Sequence, residues 1–176
     1  MHVNTKFKIV CFLVVAFVAS ITSASEPARI VVFDAAIVDT SLEGELLGKN
    51  PDETRRLKEL GEQVRDGLTA SGKYYVLDTT PVAQALNKTL DRVHYLHDCN
   101  ECELPIAKSL DAQQSMVMWV QKVTNLILNF NIVIKDVHSG KVVKSSFVDI
   151  RSNTDKSWQK GIDYMLRNRI LSDVGE

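Results

Sequence analysis

The ten residues HYLHDCNECE, positions 94 to 103, place two histidines, an aspartate and a C-x-x-C pair in one short stretch. Imidazole and thiolate are donors that zinc and copper favour, so His94, His97, Cys99 and Cys102 form a candidate metal set, with Asp98 able to orient an imidazole from behind. The same cysteines could instead pair, because two thiols three positions apart on a loop entering a helix close readily in an oxidising compartment. Reversible thiol redox is a third chemistry. Spacing weighs against the sharper readings. H-x-x-H-x-C-x-x-C is not zinc-finger spacing. Glu103 stands where haem attachment needs histidine, and a thioredoxin-like motif begins its helix directly after a strand, whereas a long polar loop precedes Cys99. A Cys99 to Cys102 disulfide without a resident cofactor is therefore the leading expectation, and a zinc or copper site is the alternative. So small a ring constrains little chain and acts as a local staple.

The compartment follows from the amino terminus. Lys6 and Lys8 precede the uncharged apolar run Ile9 to Ile21, which is short for a membrane span, and Thr22-Ser23-Ala24 supplies small residues for cleavage. This reads as a signal peptide, residues 1–24, followed by one secreted α/β domain, residues 25–176, without a membrane span once cleaved. Cys11 leaves with the peptide, so Cys99 and Cys102 are the cysteines that remain. Cleavage removes two of 21 basic residues and none of 22 acidic ones, taking the formal charge from −1 to −3. That balance argues against a nucleic-acid partner. A periplasmic or secreted location results.

Other candidate chemistry is thin. Asp39, Ser41, Glu43, Gly44 and Glu45 imitate the start of an EF-hand loop, but the twelfth position is Asn50, which cannot offer a bidentate carboxylate, and a strand precedes the loop where a helix should. A solvated acidic loop is the expectation there. Gly140-Lys141 lacks the flanking residues of a phosphate loop. No G-x-S-x-G elbow exists, and His138 sits on a turn. Trp119 and Trp158 fall at positions that predict core, and Asn129 and Asn131 lie on the polar side of their strand, where a partner would make them hydrogen-bonding contacts.

The elements that must position these residues read as follows. RIVVFDAAIV from Arg29 suits one strand buried on both faces. DTSLEGELLGKN predicts a loop. Asn50, Pro51 and Glu53 start a helix through a capping box, Leu57, Leu60, Val64 and Leu68 form its apolar stripe, and Ser71-Gly72 ends it. Residues 73–78 make a second strand, parallel to the first across this crossover. Thr80-Pro81 opens a helix with Val82, Ala85, Leu86 and Leu90 inward, and ECELPIAKSLD makes another, with Pro105 in its first turn. MVMWVQKV, LILNFNIVIKDV and KVVKSSFVDI alternate as an antiparallel meander turned by HSGK. A last helix from about Asp155 carries Trp158, Ile162, Met165, Leu166 and Ile170 inward. The fold class is a single α/β (mixed α+β) domain, with a mixed sheet of about five strands covered by helices.

The phrases RIVVFD, LTASGKYYVLD, DVHSGKVV and DIRSNTDKSW, in this order, resemble a family of bacterial predicted secreted proteins of unknown function over nearly all of the mature chain. The layout is similar to the amino-terminal domain of TolB and to related envelope modules, including penicillin-binding-protein activators and curli-secretion proteins. The resemblance implies a non-catalytic accessory role in the periplasm, docking to another envelope or periplasmic protein. It also implies occurrence beside quinoprotein alcohol-oxidation systems. The rival function is metal handling or thiol redox through His94, His97, Cys99 and Cys102.

Overall fold

The computed structural model describes residues 26–172, and the expected signal peptide lies outside them. Strands β1 (Ala28–Val32) and β2 (Ala36–Asp39) precede helices α1 (Leu42–Leu47) and α2 (Pro51–Ala70). Strand β3 (Tyr74–Val76) leads through a 3-10 turn to α3 (Ala83–Leu90), and a second such turn, Leu96–Asp98, leads to α4 (Glu103–Lys108). The meander β4 (Gln114–Thr124), β5 (Ile127–Asp136) and β6 (Val142–Ile150) follows, then α5 (Asp155–Met165) and a wide turn, Leu166–Ile170. The sheet order is β3-β1-β4-β5-β6, with β2 also paired to β4. β1 is parallel to β3 and β4, and β4, β5 and β6 are antiparallel.

The expected single strand RIVVFDAAIV is two strands, which makes the sheet six-stranded. Val32 pairs with Met116 and Ala36 with Trp119, so four steps on one side face three on the other. One residue is extra, the count of a β-bulge. The bulge inverts the alternation. Val32 and Ile37, five positions apart, both pack on the same core, while Phe33 turns into the opposite cluster and Asp34 is thrown outward to Arg65.

Each face of the sheet has its own core. Ile30, Val32, Met116, Met118, Val120, Leu128, Phe130, Ile132 and Ile134 pack against α2 and α5, burying Leu60, Val64, Leu68, Trp158, Ile162 and Met165. The period of two on the strands and of three to four on the helices generates this layer. On the other face, Val31, Phe33 and Val117 meet Val82, Leu96, Ile106 and Ala107. Those cover chiefly the β1 and β4 side.

Several local expectations need correction. Residues 42–47 of the expected loop form α1, capped where Ser41 Oγ accepts from Gly44 N at 3.1 Å. Asn50 caps α2 by accepting from Asp52 N at 2.9 Å, but no reciprocal capping box forms, because Glu53 turns inward to an ammonium group. Ala85 and Leu90 are exposed; this helix is short and only Val82 and Thr89 of its stretch are buried. Gly72, at φ 67°, ends α2 as expected.

Candidate functional site

The cysteine loop is tightly built. The sulfurs of Cys99 and Cys102 lie at bonding distance with their Cα atoms 5.9 Å apart, and Glu101 between them takes a left-handed φ of 62° to close the ring. The donor atoms of Cys99, Cys102 and Glu103 lie within 4.8 Å of one another, and neither histidine joins that trio. Glu103, at the start of α4, is 1% exposed and its carboxylate accepts from Lys135 Nζ at 2.7 Å.

The histidines belong to an aromatic ladder. His97 stacks on Trp119 with ring centroids 4.5 Å apart and planes 6° from parallel, and on its other side faces Tyr95 at 5.2 Å. His94 meets Tyr95 edge-on at 4.5 Å. Burial pushes the His97 imidazole below its ordinary value against the opposing pull of Asp98, so it is neutral at pH 7. Trp158 is core, as expected, but Trp119 is half-buried against His97. The reason is alternation: Met118 and Val120 point into the helix-covered core, which turns Trp119 to the other face beyond the cover of α3 and α4.

That face is open. Ala36, Trp119, Asn131 and Phe147 are directly opposite one another on β2, β4, β5 and β6, and Phe147 is 65% exposed. The adjacent row is Gln121, Asn129 and Asp149, in which Asn129 Nδ2 donates to Asp149. Asn131 Nδ2 donates to Asn129 O at 3.1 Å. Val123, Ile127 and Val143 are exposed as well. The surface alternates aromatic and amide groups across three strands.

The acidic loop holds the largest surprise. Lys122, 1% exposed at the end of β4, directs its ammonium to Asp39 at 3.1 Å, Glu43 at 3.3 Å and Glu53 at 2.7 Å. An ammonium from the chain itself occupies the centre that an EF-hand would give to a cation. Glu45 is exposed and outside this cluster. Asn125 donates to Glu43, Asn153 Nδ2 donates to Glu53 at 2.6 Å, and Trp158 Nε1 donates to Asn153 Oδ1 at 2.8 Å. Burial raises the Asp39 carboxyl, but hydrogen bonds from Ser41 and the nearby Lys122 outweigh it and hold it below its ordinary value. Burial likewise lowers Lys122, and its bonds to Glu53 and Asp39 raise it further than burial lowers it. One signal pointed to this cluster: Lys122 continues the inward series Met116, Met118, Val120 at a period of two, so its charge needed buried partners.

A protein-family model described as "Protein of unknown function (DUF2380)", DUF3280, matches residues 28–170. The chain belongs to this family. No curated protein matches the chain. Similar solved structures include the LpoB C-terminal domain from Salmonella enterica, with 13% identity, a TM-score of 0.49, and 74% of this chain and 87% of that one covered. Lipoprotein GNA1162 from Neisseria meningitidis has 16% identity and a TM-score of 0.43 over 85% of this chain and 100% of that one. TolB from Acinetobacter baumannii has 10% identity and a TM-score of 0.44, over 81% of this chain and 28% of that one.

Proposed function

We propose that this protein is a non-catalytic accessory module of the periplasm or envelope that docks another protein on the open face of its meander. The observation that carries this reading is the row Trp119, Asn131, Phe147. Aromatic groups backed by a rigid sheet and interleaved with amides are the composition of protein-binding surfaces, and Phe147, 65% exposed, is available to a partner. His97, stacked behind Trp119, holds the indole in place. The Cys99 to Cys102 bond then serves as a staple that fixes this ladder, with neither zinc nor copper required. An association with quinoprotein alcohol oxidation rests on family resemblance alone, and no feature of the described residues supports it.

Export belongs to the same reading, with cleavage after Ala24. Intact mass spectrometry of the protein from a periplasmic extract should give a chain beginning at Ser25, two hydrogens light and unmodified by alkylation. Docking is tested by a photo-crosslinking amino acid at Phe147 in living cells. A discrete adduct with one envelope protein, lost when Asn131 becomes Lys, is expected. Adduct formation from Phe147 no greater than from an exposed helical site such as Lys58 would overturn the docking reading.

A further inference from the structure

β2 has one free edge. Among the described residues it pairs with β4 alone, and all four of its residues are half-buried. The next position in the sheet is that of β3, which pairs with β1 only from Tyr74 to Val76 and then leaves, because Asp78 accepts from Thr80 N at 2.9 Å and Thr80 Oγ1 at 2.8 Å and turns the chain toward α3. Beyond Val76 the sheet is one strand short for the length of β2. A cleft of about 580 Å³ lies there. β2 lines it with Ile37, and Leu57 of α2, Leu86 and Leu90 of α3, and Tyr95 complete its apolar walls.

Main-chain direction on β2 follows from one bond. Thr40 N donates to Lys122 O at 2.9 Å, so alternation turns Ala36 and Val38 toward β4 and the amide and carbonyl groups of Ile37 and Asp39 toward the cleft. Its polar end is acidic. Asp39 and Glu53 line it, and with Glu43 they set three carboxylates against one Lys122 ammonium, while Lys49 stands exposed at the lip and Asp34 is paired with Arg65.

We propose that this cleft is a strand-addition site: an extended segment of a partner polypeptide pairs through its main chain with Ile37 and Asp39, at the position β3 leaves vacant. Successive side chains of that segment turn to opposite walls, one set resting on Leu57 and the other on Leu86 and Leu90, and a lysine or arginine points to the Asp39 end. Main-chain pairing supplies affinity and the alternating pockets supply selectivity. The inference rests on the reading that the protein docks other proteins, but it places a second contact on a different surface from Phe147.

The test uses random peptides displayed on phage and selected against the purified, disulfide-closed protein, with the enriched peptide synthesised and followed by amide NMR. Enriched sequences should carry a short apolar run, with side chains for both walls, and a basic residue. The Ile37 and Asp39 amides should shift and become protected from exchange. Methylating the peptide's main-chain nitrogens should weaken binding about tenfold or more, and Leu90→Glu should do the same, while Phe147→Ser leaves binding unchanged. Shifts centred on Asn131 and Phe147, indifference to N-methylation, or failure of any peptide to enrich would each overturn strand addition. Those results leave the docking reading to its own crosslinking test in cells.

Discussion

Lys122 buries a charge at the edge of a core, which is costly unless partners answer it, and here three carboxylates do, two of them also accepting from asparagine amides. Removing the ammonium while keeping the stem should therefore leave buried carboxylates repelling one another. Lys122→Met is expected to cost about 3–5 kcal/mol, the range seen when one partner of a buried pair is lost, measured by urea unfolding at pH 7. The pH dependence follows from the directions of shift. Asp39 sits below its ordinary 3.8, so its contribution is present above that pH and lost as pH falls through its folded value. Lys122 sits above 10.5, so its contribution is present below that pH and lost only as pH rises through its folded value. The gap between wild type and Lys122→Met should stay constant through neutral pH and narrow on acidification, as Asp39 takes up a proton and its pairing with Lys122 is lost from the wild type. A gap that is flat down to pH 2 would contradict the assignment.

At the scale of elements, close approach and closure make two predictions. Gly161 of α5 lies where an added Cβ would stand 2.5 Å from Ile150 Cγ2 and 3.1 Å from Phe130 Cε2, a branched side chain and a ring on the sheet below. Helix propensity alone would reward Gly161→Ala by about 1 kcal/mol, but overpacking costs about 1–3 kcal/mol, so net destabilisation is expected. Gly67 of α2 meets the terminal methyl of Leu166, at 2.7 Å, an end that a rotamer change can withdraw, and Gly67→Ala should cost less than Gly161→Ala. Thermal melts of the two variants check this order. The cysteine ring encloses few residues, so Cys99→Ser with Cys102→Ser should lower stability by only about 2 kcal/mol, while speeding hydrogen exchange at residues 94–98. Helices α2 and α5 and the meander were legible because their apolar periods of 3.6 and 2 are undisturbed. The break between β1 and β2 was not, since a bulge adds one residue to an unbroken apolar run and leaves no compositional mark. The helix at 42–47 was hidden for a related reason: it buries none of its residues and so shows no inward stripe.

Across the whole molecule, the cysteine loop keeps the local pairing its spacing suggests but takes neighbours that spacing did not. His94, Tyr95, Leu96 and His97 line the cleft beside β2, yet the histidines go to a ladder ending at Trp119, and the cysteine sulfurs lie beside Glu103, which looked like ordinary helix. The meeting of His97 with Trp119, far apart in the chain, depends on which face of the sheet register gives the indole, which no local spacing reveals. The same register decides which part of the sheet stays uncovered. Helices α2 and α5 cover one face, whereas α3 and α4 on the other face are short and reach chiefly β1 and β4, so among the described residues nothing covers Phe147 on β6. A side chain left exposed by architecture should be dispensable for folding. Phe147→Ser is thus expected to shift stability by no more than about 0.5 kcal/mol, read as an unchanged urea midpoint. Binding of an apolar fluorescent dye to the native protein should fall in the same variant, because the exposed aromatic centre of the open face is gone. A lowered midpoint would mean instead that Phe147 packs within the fold, and the open face would lose its claim as a docking surface.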